Sequence, residues 1–252
     1  IRTWYTDING PEADEVDRSE VLFSGNLLAE WQATEQWAWF AGAGRTERYP
    51  AVTELYYACS PAPGGYQIGN PGLDPETKYE LTAGARHQAG WLETEASLFA
   101  AWVEDYILQT SVLKTDINGD GVVDNVRGFR NVDAELWGGE LAAVARLGDA
   151  WSVPASLAYV RGRNETDGRD LPEIPPLSGR AALRYEQAAG RAWWSEAGLR
   201  FAARQDQVDE AFPEDETPSF VVYHLRGGLA LTQQLSLEAG VENLFDEDYH
   251  EH

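Results

Sequence analysis

The stretch Phe220-Val221-Val222-Tyr223-His224-Leu225-Arg226-Gly227-Gly228-Leu229-Ala230-Leu231, followed by Thr232-Gln233-Gln234 and then Leu235-Ser236-Leu237-Glu238-Ala239-Gly240-Val241-Glu242, reads as two strands joined by a tight turn. Successive side chains of a strand point to opposite faces. On the first arm Val221, Tyr223, Leu225, Leu229 and Leu231 share one face, and His224, Arg226 and Gly228 share the other. On the second arm Leu235, Leu237, Ala239 and Val241 oppose Ser236, Glu238, Gly240 and Glu242. The period is two, the strand period, and the three-residue connector pairs the arms antiparallel.

Working outward, the same pattern recurs along the chain. It predicts ten strands, over 22–32, 36–46, 78–88, 91–108, 129–147, 151–161, 179–187, 192–203, 219–231 and 235–245. Ala181, Leu183 and Tyr185 oppose Arg180, Arg184 and Glu186; Leu199 and Phe201 oppose Glu196 and Arg200; Leu141, Ala143, Ala145 and Leu147 oppose Glu140 and Arg146. One face is apolar and the other carries charge. A soluble sandwich would bury the apolar face, whereas a membrane barrel would turn it to lipid and line a wet lumen with the charges; alternation alone does not separate the two.

Connector length does, together with the family likeness below. Short turns at Ala33–Glu35, Gln88–Gly90, Gly148–Ala150, Ala188–Arg191 and Thr232–Gln234 alternate with long connections over 47–77, 109–128, 162–178 and 204–218. Tight turns on one rim and long loops on the other are the habit of outer-membrane barrels. The expected fold is therefore all-β, an antiparallel transmembrane β-barrel wall of about ten strands. Composition agrees. Ten Trp, eleven Tyr and eight Phe supply enough aromatic residues for girdles at two membrane interfaces. No apolar run reaches the roughly 18 residues of a spanning helix.

Forty-two acids against 19 bases give a formal charge of −23. Nucleic acid is disfavoured as a partner, because phosphate contacts need a basic surface. The acidity suits solubility, a salty habitat or attraction of cationic cargo to acidic loops. Cys59 is the only cysteine, so no intrachain disulfide forms. Methionine is absent even at position 1, and Ile1-Arg2-Thr3-Trp4 is no signal peptide, so the chain is expected to be a segment of a longer one.

Four segments carry a family likeness. Gly240-Val241-Glu242-Asn243-Leu244-Phe245-Asp246-Glu247-Asp248-Tyr249 is similar to the G-V-x-N-L-F-D-x-x-Y signature of TonB-dependent outer-membrane receptors. Arg130 to Glu140 resembles one of that family's strands, Asn70-Pro71-Gly72-Leu73-Asp74-Pro75-Glu76 its loop-to-strand junction, and Leu171-Pro172-Glu173-Ile174-Pro175-Pro176 its L-x-x-I-P-P. Their order matches across residues 20–252. The resemblance implies part of a barrel of roughly 22 strands, in the cell outer membrane. Residues 1–252 would be one segment of the barrel domain, with plug domain, N-terminal region and final strand absent. It further implies a non-enzymatic receptor for energy-dependent uptake of a scarce metal or metal chelate: copper, a ferric siderophore or a corrinoid; a passive porin or adhesin-type barrel is the alternative, and a soluble β-sandwich binding protein the next. The implied partners are membrane lipid, the plug domain, the TonB energy-coupling system and the ligand. The loop at Asp167–Pro176 and the ending Phe245–His252 look closest to the copper-receptor branch. That branch is expected to hold metal with thiol and thioether groups, so no such site can be assigned in a chain without methionine and with Cys59 alone.

One local motif remains. Asp116, Asn118, Asp120 and Asp124 in Asp116-Ile117-Asn118-Gly119-Asp120-Gly121-Val122-Val123-Asp124 place oxygens where a calcium loop needs them, with Gly121 at the sharp turn. Arg127 stands where an EF-hand requires a bidentate acid, so the expectation is a looser calcium loop, or an Asn-Gly/Asp-Gly turn with no metal. His250-Glu251-His252, His87 and His224 show no partner from sequence. No G-x-S-x-G, H-E-x-x-H or phosphate loop is present, so no catalytic residues and no bound organic cofactor are expected.

Overall fold

In the computed structural model the ten long strands form a single meander. The structure describes residues 19–56, 58–62, 65–109, 113–115, 121, 123–187, 192–209, 212 and 214–251. The long strands are β1 (Gly25–Gln32), β2 (Trp37–Arg48), β5 (Glu76–Ala89), β6 (Leu92–Gln109), β9 (Phe129–Arg146), β10 (Trp151–Asn164), β12 (Ser178–Gln187), β13 (Trp193–Ala202), β14 (Phe220–Ala230) and β15 (Ser236–Val241). Each pairs antiparallel with the next, so every expected strand is found and all long connections share one rim. The sequence pattern misses the structure inside those connections. They hold a short helix α1 (Val52–Tyr56), strands β3 (Ala58–Ala62), β4 (Gly65–Ile68), β7 (Leu113–Thr115) and β8 (Asp124–Arg127), and the two-residue β11 (Arg169–Asp170). β3, β4, β8 and β7 make a second, four-stranded sheet, in which β4 and β8 run parallel. Segments this short carry no readable period.

Register sorts the wall into two faces. Ala29, Ala41, Ala83, Leu98 and Gly139 lie in one row across β1, β2, β5, β6 and β9, and Leu157, Gly179, Phe201 and Val221 in another across β10, β12, β13 and β14. These rows belong to the convex face. The opposite face is concave, since residues from β5 to the segment just after β15, among them Arg86, Glu95, Arg184 and Glu242, line one trough. Leu98 (69% exposed), Leu183, Leu225, Leu237 and Val241 stand open on the convex face, and Ala143, Ala145, Leu199, Phe201 and Leu229 are half-buried. No second layer of described residues covers them. An apolar surface this extensive is rare on soluble proteins but is what a barrel presents to lipid.

Two aromatic belts bound that surface. Near the tight turns Trp37 stacks on Trp39 (5.9 Å), and Tyr185 packs against both Trp151 (4.9 Å) and Trp193 (4.8 Å). Near the long loops Trp137 meets Tyr159 (5.5 Å) and Tyr223 meets Phe245 (5.3 Å). Tyr159 lies eight residue steps along β10 from Trp151. At ~3.3 Å per residue that is about 26 Å along the strand. At the usual barrel tilt it is about 20 Å of height, close to the roughly 25 Å of an outer-membrane apolar band.

A lumen wall and a stitched loop rim

The concave face is a ledger of paired charges. Arg86 on β5 bonds Glu30 on β1 (2.6 Å) and Glu95 on β6 (3.1 Å) and lies over the Phe40 ring (4.8 Å), tying four strands together. Arg146 reaches Glu93 (2.7 Å). On β12 and β13, Arg184 bonds Glu186 (2.7 Å) and Glu196 (3.5 Å) and stacks over Trp194 (4.3 Å). Glu196 also meets His224 Nε2 at 3.2 Å, a partner for His224 that the sequence did not reveal. Arg226 pairs with Glu242. Individually such half-exposed pairs contribute little to stability. Collectively they give a wet wall whose charges are held in fixed positions.

At the loop rim the wall is closed over. β6 carries an extra residue near Asp105 (φ 57°), where Val103 pairs with Ala134 but Tyr106 pairs with Val132. This bulge resets which face the rest of β6 presents. Leu108, Val103, Val132 and Ala134 then form a concave-side cluster with Leu171, which is 1% exposed; Ile174, Leu136 and Tyr106 pack against it. Leu171 and Ile174 come from the connection between β10 and β12, so that loop folds into the lumen mouth. Gly162 on β10 makes room for it: a Cβ there would lie 2.9 Å from both Leu171 Cδ1 and Ile174 Cδ1. On the other side Leu55 of α1 and Leu73 pack on Ile107, flanked by Tyr49, Tyr56 and Phe129.

The family-like segments turn out to be the fasteners of this rim. Asn70 Oδ1 accepts from the Gly72 N–H (2.9 Å), and its Nδ2 donates to the Phe129 carbonyl (3.0 Å). Asn131 Nδ2 donates to the carbonyls of Asp74 (3.0 Å) and Asp105 (2.6 Å), while its Oδ1 accepts from the Asp74 N–H (2.8 Å). Asn243 (φ 48°) ends β15 by closing on Glu247: its Oδ1 accepts from the Glu247 N–H (2.8 Å), and its Nδ2 donates to the Glu247 carbonyl (2.9 Å). Asn164, fully buried, grips Asp167 in the same two-way manner (2.9 and 3.1 Å), and Asp167 pairs with Arg130. That guanidinium holds the Asp167 carboxyl below its usual range. Asn164 was not singled out from sequence; the available signal was a lone amide at a strand end beside an acidic turn.

Of the calcium-loop residues, Asp116, Asn118 and Asp120 lie outside the described residues. Asp124 opens β8 opposite Thr115, and Gly121 has φ +85°, as a sharp turn requires. Among the described residues no group of three or more His, Cys, Asp and Glu side chains is placed to hold a metal. His87 packs on Trp37 (4.4 Å) at the turn-side belt. Cys59 lies in β3.

Comparison with known proteins agrees with this geometry. The family described as TonB dependent receptor-like, beta-barrel matches residues 2–244. The structure resembles that of the copper transporter OprC, at 31% identity and a TM-score of 0.80, over 93% of this chain and 35% of that one. It shares its fold with the ferric enterobactin receptor from Pseudomonas aeruginosa at 24% identity and a TM-score of 0.71, over 89% and 35% of the two chains. An iron-regulated outer membrane virulence protein of Vibrio cholerae is 24% identical over 238 residues, 90% of this chain and 36% of that protein. The chain thus spans about a third of the length of these relatives. Apolar convex face, paired aromatic belts, charged concave wall and family match converge: the chain belongs to the TonB-dependent receptors and forms part of their outer-membrane β-barrel.

Proposed function

We propose that the complete protein is an outer-membrane receptor that takes up a scarce metal or metal chelate with energy relayed through the TonB system. The observation that carries this reading is the division of the wall into a lipid-facing apolar band and a charged concave face, with the connection between β10 and β12 folded into the mouth above it. A ligand arriving at the rim meets the loops first and a polar path beneath them. A plug domain in the lumen would find the fixed charges of β5 to β15 as its contacts. The chain's acidity favours approach of cationic cargo. The likeness to a copper transporter supports copper as cargo, and the shared fold with a siderophore receptor keeps ferric chelates beside it; a corrinoid is the third cargo weighed.

The test is metal accumulation by cells with and without the full-length gene, supplied with copper, ferric chelate or corrinoid at limiting concentration. Gene-dependent uptake of one of these, lost when a protonophore collapses the inner-membrane gradient, is the expected result. Uptake that survives the protonophore would mark a passive channel and overturn the receptor reading.

A further inference from the structure

Arg180 and Arg200 stand directly opposite one another on β12 and β13, both on the concave face. Like charges in register repel, so the pair calls for an anion between them. The structure shows what chemistry fits. Arg200 lies 5.2 Å from the Phe220 ring centroid and 5.4 Å from that of Tyr249, pairs with no wall acid among the described residues, and donates to Glu251 Oε1 (2.6 Å) and the Tyr249 hydroxyl (3.1 Å). The carboxylate comes from the irregular segment after β15, not from the wall. Arg180 is exposed, and its one hydrogen bond among the described residues runs from Nε to Ser156 Oγ, at 3.2 Å. Among the described residues it alone of the arginines on the β12–β14 wall has no carboxylate within ion-pair distance.

The two arginines share a hollow of about 420 Å³ beneath Pro175 and Pro176, with Glu140 on its wall. Glu140 forms no ion pair with either of them. A facing acid discourages a free polyanion, whereas one carboxylate carried on an apolar or aromatic body would meet two guanidiniums and the Phe220 ring. We propose that Arg180 and Arg200 form a carboxylate seat just inside the lumen mouth, which Glu251 half-fills at rest and from which an aromatic or apolar carboxylate ligand displaces it. This deepens the uptake reading by naming a ligand class, a chelate with a carboxylate arm. An acidic side chain of polypeptide in the lumen is the other source of the same group.

The experiment is a fluorine-NMR titration of intact, detergent-solubilised receptor with 4-fluorobenzoate, using neutral 4-fluorobenzamide as control. Saturable binding of the benzoate alone is expected, weakened about tenfold by Arg180→Gln and tightened several-fold by Glu251→Gln, which removes the internal competitor. Equal binding of benzamide, or Glu251→Gln leaving affinity unchanged, overturns the proposal, and this second variant lies outside the strands and serves if Arg180→Gln misfolds. No benzoate binding to either wild type or Glu251→Gln overturns it too. Because the probe carries no metal, failure here leaves the uptake reading standing, and failure of metal uptake leaves the seat standing.

Discussion

The β6–β9 hairpin is two proteins along its length. Between the aromatic belts its convex face meets lipid and its concave face meets the lumen, so Leu98 and Leu141 remain open although apolar. Beyond the bulge at Asp105 the same two strands are covered on both sides, and Ile107 and Leu108, adjacent in sequence and opposite in direction, are both buried. Lower down, solvation by bilayer replaces packing. At the rim, water surrounds the structure, and the strands hold their shape by burying Leu171 on one side and Leu55 and Leu73 on the other. The lesson is that one strand pair obeys two solvents, and the bulge is where the rules change.

The contrast can be broken by substitution. Leu171→Ala removes a fully buried side chain and should cost about 2–5 kcal/mol. The loss should be confined to the rim, read as lost amide protection around the Leu171 N–H to Gly162 carbonyl bond, with protection between the belts unchanged. Loss of protection throughout the wall would show that rim and membrane section unfold as one unit.

A smaller effect tests the membrane section itself. Leu141 lies midway between Trp137 and Ala145 on the convex face, so Leu141→Arg should cost roughly 2–4 kcal/mol in a bilayer. Its neighbour Ala142 faces the trough, and Ala142→Arg should fold nearly as well as wild type. Denaturant titrations in lipid vesicles compare the two. A greater cost at Ala142 would invert the face assignment.

The rim should also respond to acid. Asp167 has a folded pKa below its ordinary value because of Arg130. Its contribution is therefore full above the unfolded range near ~3.9 and is lost as pH falls through the lowered value. Amide protection in the turn after Asn164 should hold from neutrality to about pH 4 and decline below it, and Asp167→Asn should abolish that dependence.

The smallest effect concerns the loop from Asp116 to Asp124, proposed as a weak calcium site on its ligand spacing. Calorimetry on the full receptor should show a calcium heat that Asp120→Ala removes. Indistinguishable heats for the two proteins discard the site.

What was legible in the sequence and what was not follows the same division. Between the belts every residue has one of two environments, so the period of two in Leu225, Leu229, Leu237 and Val241 determined strands, faces and meander order. The short and long connectors determined the rims, and the segments at Asn70, Asn131, Leu171 and Asn243 determined the family. Their work as fasteners was invisible, because Asn131 joins the 70–75 loop to the β6 bulge, and Leu171 reaches Val103 and Val132, across long stretches of chain. The return of Glu251 onto Arg200 likewise depends on contact between distant segments. Local alternation encodes a side chain's direction; only tertiary structure decided which distant group it meets there.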